Sequence, residues 1–295
     1  MILITILIST ITLATPYILA ALGGLTSERS GIVNLCLEGK MLIAACVTAL
    51  AAEAFQNAWL GVGFGVGAAI LVSILHWLLT QKFAVDHIIS GMAINLLAIG
   101  GSNYLFGAFA NRDSESGIPV LPTFVVKLGS LGNFTISIYL ILALLLPFAA
   151  YLYIKRTRAG LRLFAVGNDP DKARLMGVRP LRVRLLALIA TGVFTGLAGA
   201  QIISNVGRFT DNMTAGRGYI ALAALILGGW RPIPTFIACI AFALFEAVQL
   251  QLQGTELMGA KIPSEAWQAL PYLVTVIALA GFLGKSRAPQ GLGKA

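Results

Sequence analysis

The residues able to do chemistry in this chain are polar groups set inside apolar stretches. Glu246 lies within the apolar run 232–252, and Gln249 and Gln253 follow three and seven positions later, so a carboxylate and two amides share one helix face. At membrane depth such groups line a water-filled path or bond one helix to another, and the pattern is consistent with both. Asn95 falls in the middle of another apolar run, with Ser90 and Ser102 on other faces, and is expected to contact a neighbouring helix. Asn34 and Glu38 belong to GGLTSERSGIVNLCLEGK (23–40), and Arg208, Phe209, Asp211 and Asn212 to GRFTDNMTAGRG (207–218). A polyhydroxylated or base-bearing solute needs amides and carboxylates to read its hydroxyls and an aromatic face to stack on. These positions supply both, although turn and capping duties account equally for Asn34, Asp211 and Asn212. The candidate lining of a solute path is therefore Asn34, Glu38, Asn95, Phe209, Asn212, Glu246 and Gln249.

Covalent catalysis has no such foothold. The chain shows no Ser/His/Asp set, no HExxH and no carboxylate pair at a useful spacing. His76 and His87 are isolated, so no metal site is expected. Cys36, Cys46 and Cys239 all sit in apolar segments without CxxC spacing and read as buried free thiols. Gly284-Lys285-Ser286 resembles the end of a phosphate loop, but the glycine required five positions earlier is Leu279, so the chain is not expected to bind ATP. Glu53 is expected at a solvated span end.

These groups must be positioned by a membrane bundle. Of 295 residues, 58% are hydrophobic and 11% charged, with mean hydropathy +0.86; a soluble domain carries about 25% charged residues. Spans are expected near 2–22, 36–54, 60–80, 88–109, 134–154, 184–204, 217–229, 232–252 and 267–284, the seventh short for a crossing. Residues 1–22 lack a basic leader and read as a retained first span. Loop 110–133 reads as a turn-rich connector, and the tail RAPQGLGKA is expected to fray. The glycine pairs Gly61/Gly65 and Gly63/Gly67 and the stripe Gly192, Gly196, Ala200 suit close helix approach. The stretches 23–40 and 207–218 read as broken helices, a feature of transport pathways.

The 21 Lys and Arg residues fix an orientation. Sixteen fall in segments that alternate onto one side, nine of them between Lys155 and Arg184, and five (Arg112, Lys127, Arg208, Arg217, Lys261) fall on the other. The net charge of +9 is thus a positive-inside signature and does not indicate nucleic acid; the N-terminus is expected outside and the C-terminus in the cytoplasm. Within the loop 155–184, Asn168 or Asp169 can cap a short helix, Pro170 suits its first position and Gly177 its stop. A loop that only anchors topology needs charge but no capped helix, so this helix reads as a docking point for a soluble cytoplasmic partner.

The stretch LGGLTSERSGIVNLCLEGKMLIAA resembles the N-terminal signature of ATP-binding cassette (ABC) importer permeases, in the general nucleoside uptake branch of the ribose and branched-chain amino acid permeases. GLRLFAVGNDPDKARLMGV, GRGYIALAALILGGWRP and LPYLVTVIAL (270–279) resemble the same family. Cys36 stands where a glycine is usual, and Lys40, which could alter the pathway mouth or snorkel, where an apolar residue is usual. The resemblance implies an all-α, polytopic bundle of about eight to ten helices per subunit with broken helices, like the vitamin B12-type importers, spanning 1–295 as one permease domain. It implies that Asn168, Asp169, Pro170, Asp171, Lys172, Ala173, Arg174, Leu175, Met176 and Gly177 form the coupling helix. The partners it implies are a cytoplasmic ATPase that binds the ATP and Mg, a second related permease, a periplasmic or lipid-anchored substrate-binding protein, and membrane lipid. The small-molecule substrate would be a nucleoside, with a simple sugar as the alternative; an ion-driven secondary transporter is a third reading. The implied location is the bacterial cytoplasmic membrane.

Overall fold

The computed structural model describes residues 2–110, 117–127, 133–253, 256–257, 260–261, 269, 273, 276–277 and 288–294. Among these the chain is almost entirely helical: α1 (Ile2–Arg29), α2 (Leu37–Phe55), α3 (Ala58–Trp77), α4 (His87–Phe109), α5 (Ile138–Arg156), α6 (Arg158–Asn168), α7 (Pro170–Leu175), α8 (Pro180–Val206), α9 (Arg217–Leu227) and α10 (Pro232–Leu252). A π-helical turn, Leu78–Lys82, extends α3. Among the described residues, six helices are long and apolar enough to cross a membrane: α1, α3 with its π turn, α4, α5, α8 and α10.

Short polar side chains set the starts. Asn57 accepts from the backbone N–H of Trp59 and Leu60 (2.9 and 3.3 Å) to open α3, and Asp86 accepts from Ile88 and Ile89 (2.8 and 3.0 Å) to open α4. Those amides hold the exposed Asp86 carboxyl below the usual carboxylate range.

α2 is the inner helix. It carries Glu38, Lys40 and Glu53, yet most of its length is buried, packed chiefly on α3, α8 and α4. Small residues permit this. A Cβ on Gly65 or Gly61 would collide with Thr48 or Ala52 of α2, and one on Gly192 or Gly196 with the α3 backbone at Ile70 or Val66. Gly63 and Gly67 have nothing within 4 Å, so only the first of the two expected glycine pairs is a packing seam.

Several expectations shift. The first broken stretch starts later than its polar residues suggest: α1 runs on through Gly23 to Arg29, and only 30–36 leave the helix before α2. A polar residue ends a helix only when it finds no partner, and Thr26 and Ser27 bond back to the carbonyl of Gly23. The connector 110–133 contributes an antiparallel hairpin, β1 (Thr123–Lys127) with β2 (Asn133–Ser137), so α5 starts four residues after the expected 134. The second strand pair is β3 (Glu256–Leu257) with β4 (Ala260–Lys261). The short piece at 217–229 is α9, too short to cross. Most of the expected span 267–284, and Gly284-Lys285-Ser286, lie outside the described residues.

The tail does not fray over 288–294. The Gly291 N–H donates to the Gly167 carbonyl (2.9 Å) and Gly293 to Gly31 (2.9 Å), and Arg184 Nη2 donates to the Lys294 carbonyl (2.7 Å).

Candidate functional site

The two broken stretches meet. Between Val206 and Arg217 the chain runs as turns, and α9 opens at Gly216 (φ 82°) with no capping side chain of its own. Glu38, 4% exposed, supplies the cap from α2: its Oε1 accepts from the Gly216 N–H (2.7 Å) and its Oε2 from the Gly218 N–H (2.6 Å). A carboxylate against the first amides of a helix satisfies orphan donors and sits at the positive end of the helix dipole. The approach requires glycine at 218, where a Cβ would lie 2.5 Å from the Glu38 nitrogen.

Asn95 closes the same junction from α4. Its Oδ1 accepts from the Gly39 N–H (2.9 Å), and its Nδ2 donates to the Leu35 carbonyl and to the Tyr219 hydroxyl (2.9 Å each). The expected helix-to-helix contact is present, joining α4, the start of α2 and α9. The Tyr219 ring remains 47% exposed beside it.

Glu246 reaches the opposite flank of the α9 N-terminus. Its Oε1 accepts from Arg217 Nη2 (3.2 Å) and its Oε2 from the Tyr17 hydroxyl of α1 (2.5 Å). Both carboxylate oxygens thus tie α10 to α9 and α1. Glu38 and Glu246, 208 positions apart in sequence, hold the first turn of one short helix from two sides.

Asn34 is fully buried in the bend between α1 and α2. Its Nδ2 donates to Ser27 Oγ (2.8 Å), and its Oδ1 accepts from Lys40 Nζ (3.2 Å). Lys40 neither snorkels nor reaches the surface: it is wholly buried. Nearby Glu28 accepts from Trp230 Nε1 (2.5 Å), and Arg29 Nε donates to the Trp230 carbonyl (2.7 Å), which fixes the end of α1 to the chain just past α9.

The remaining candidates stand apart. Phe209 is buried against Phe106, ring centroids 4.8 Å apart, while Asn212 is exposed in a left-handed conformation (φ 51°) and Gln249 is half-buried on α10. Tyr17, Arg217, Tyr219, Glu28 and Trp230 were not singled out by sequence. Arg217 carried a usable signal, an arginine flanked by glycines just before a short apolar helix; the tyrosines and Trp230 carried none.

On the other face of the bundle, α7 is built as its residues imply. Asp169 accepts from the Lys172 N–H (3.0 Å), Pro170 takes the first position, and Gly177 (φ 79°) closes the helix as its N–H bonds to the Arg174 carbonyl and that of Val178 to Ala173. Asn168, the alternative cap, instead ends α6. The amide of Lys172, then its ammonium, holds the exposed Asp169 carboxyl below its ordinary range. The cap therefore persists at neutral pH and is lost only as pH falls through that lowered value. Leu175 and Met176 are 88% and 83% exposed, an apolar tip on a basic loop.

Residues 6–279 match the family described as branched-chain amino acid transport system / permease component. The chain is 34% identical to the guanosine ABC transporter permease protein NupQ of Bacillus subtilis, over 97% of this chain and 94% of that one. It is 36% identical to the nucleoside ABC transporter permease protein NupC of Lactococcus lactis, over 95% and 92%. A second guanosine ABC transporter permease protein of Bacillus subtilis, NupP, is 25% identical over 78% and 69%.

Proposed function

We propose, from the premise that this chain belongs to the branched-chain amino acid transport system / permease component family, that this multi-pass membrane protein is the permease subunit of an ATP-driven nucleoside importer. The observation that carries the coupling half of this reading is α7. Plain loop retention would not expose Leu175 and Met176 on a helix capped at Asp169 and closed by a left-handed Gly177. Two large apolar side chains on a rigid, capped turn suit a groove on a soluble partner. That partner is the ATPase, which binds the ATP and Mg; the chain itself performs no catalysis. The loop side, with the tail, is cytoplasmic, and the N-terminus lies outside.

The tail and Arg184 give α7 a route into the bundle. The α6 residue Gly167 contacts the Arg29 carbonyl so closely that no Cβ would fit, and its own carbonyl accepts from Gly291. Displacement of α6 and α7 therefore presses on the bend that positions Asn34 and Glu38, and through Glu38 on the α9 N-terminus. Transport requires two arrangements of one bundle, biased from outside it, and this junction is where the arrangements would differ. The solute meets the exposed Tyr219 ring, Asn212 and the half-buried Gln249, while buried Asn34, Glu38, Asn95 and Phe209 and half-buried Glu246 hold the walls.

Nucleosides are the substrate class named for NupQ and NupC, and the two guanosine permeases NupQ and NupP of one organism support pairing of this chain with a second permease. A binding protein outside the membrane delivers the solute. The test is uptake of labelled guanosine by cells carrying the complete transporter. Uptake should be competed by excess unlabelled nucleosides and not by ribose or glucose, and should fall at least tenfold with Leu175→Asp while membrane insertion is unchanged. Competition by sugars alone would replace the nucleoside reading with the sugar one. Full uptake by Leu175→Asp would remove α7 from the coupling role.

A further inference from the structure

A cavity of about 500 Å³ opens between α1, α5, α6 and α8 on the loop side of the bundle, away from the junction at α9. Its walls are apolar, with Leu22 of α1, Leu146 of α5, Leu163 of α6, and Leu186 and Phe194 of α8; alanines on α5, α6 and α8 leave the space between them. The depth is that of one leaflet. Leu146 lies ten residues before the end of α5 at Arg156, or ~15 Å along the axis, which is half of a hydrocarbon core ~30 Å thick.

Two of its lining side chains, Tyr153 of α5 and Arg162 of α6, are polar and lie near the basic loop. Arg162 and Tyr153 line the cavity, and neither the guanidinium nor the hydroxyl has a hydrogen bond or ion pair among the described residues. The ion pairs among the described residues, Lys172–Asp169, Arg174–Asp171 and Arg217–Glu246, all lie outside the cavity lining. Arg162 belongs to the nine-residue basic cluster of the 155–184 loop and has Arg158 one turn before it on α6.

We infer that this groove binds one anionic phospholipid of the cytoplasmic leaflet, with an acyl chain along α5 and α8 and the phosphate held by Arg162 and Tyr153. A basic group at the mouth of an apolar slot between spans is the chemistry that selects an anionic headgroup, and a tyrosine at that level suits the water–hydrocarbon boundary. The lipid would lie against α6, the helix that leads into α7, so the leaflet's composition would bear on the coupling loop. This rests on the cytoplasmic placement of the loop but not on the transported solute.

Native mass spectrometry of the assembled transporter, released from nanodiscs of equal parts phosphatidylglycerol and phosphatidylcholine, tests it. The wild-type protein should retain phosphatidylglycerol about five-fold over phosphatidylcholine, the worth of one basic group at the surface. Arg162→Ala, at an exposed position, should lose that preference and Arg162→Lys should keep it. Ala159→Trp, also exposed and at the mouth, should lower total retained lipid of both kinds. A photo-crosslinker in place of the 66% exposed Leu186 should yield a lipid adduct. Unchanged preference in Arg162→Ala, unchanged retention in Ala159→Trp, or an adduct to protein in place of lipid would each overturn the assignment. Because no outcome depends on uptake, failure here leaves the transport reading intact, and failure of nucleoside uptake leaves this site intact.

Discussion

A single carboxylate decides how the second broken stretch is held. Glu38 is the acceptor for two amides at the start of α9, and α9 brings no cap of its own. Glu38→Ala should strand both donors in the bundle interior, at about 1–3 kcal/mol each, read as a lower thermal midpoint of the purified protein. Glu38→Gln keeps one acceptor oxygen but turns an NH2 donor toward the second amide, and should cost about 1–3 kcal/mol for that one stranded donor, less than Glu38→Ala. Equal midpoints for Glu38→Ala and wild type would refute the capping role. Glu246 and Arg217 offer a pairwise measure, since their side chains are only 15% and 23% exposed. A double-mutant cycle with Glu246→Ala and Arg217→Ala should give a coupling of about 0.5–3 kcal/mol. Additive effects would mean that the pair is incidental to the junction.

Among the helices, glycines are not equivalent although their spacing is the same. Gly218 admits the Glu38 backbone at a distance no Cβ tolerates, and Gly65 admits Thr48 of α2 in the same way. Gly218→Ala should therefore prevent recovery of folded protein. Gly63→Ala, on the open face of α3, should leave yield unchanged and raise stability by up to about 1 kcal/mol, because alanine loses less backbone freedom in a helix. Equal losses in both variants would contradict the close approach of α9 to α2 and the open face described for α3. α7 follows from local rules alone: cap, proline and terminal glycine all fall between Asp169 and Gly177, so its start and stop could be read directly. The exposure of Leu175 and Met176 could not, because it depends on how α6 and α8 carry the turn.

The whole molecule is closed at its loop side by the C-terminal segment. Arg184, 2% exposed, donates to the Ser30 carbonyl (3.2 Å), to Gln81 Oε1 (2.6 Å) and to the Lys294 carbonyl. One guanidinium thus joins α8, the bend after α1, the π turn after α3 and the tail. Deleting residues 288–295 should remove the tail's backbone bonds to Gly167 and Gly31 and leave Arg184 short of an acceptor. Uptake should drop severalfold while the protein still inserts, as measured by transport alongside membrane-fraction immunoblots. Wild-type uptake by the truncated chain would show that the tail plays no part in linking α6 to the bend.

Length, hydropathy and charge asymmetry determined by themselves that this is a helical bundle with a basic loop on one side, because a lipid solvent leaves few ways to satisfy a backbone. Local chemistry likewise determined the capped helix α7 and the short α9, whose signals lie within a few consecutive residues. What only the tertiary structure decided is which polar groups meet: Glu38 with the α9 amides, Asn95 with Tyr219, Glu246 with Tyr17 and Arg217, the tail with Gly167 and Gly31. Each of these contacts joins residues far apart in sequence, and a buried polar side chain has the same appearance in the sequence whether it faces a solute or another helix. Only three-dimensional packing supplies the partner, and the partner decides the role.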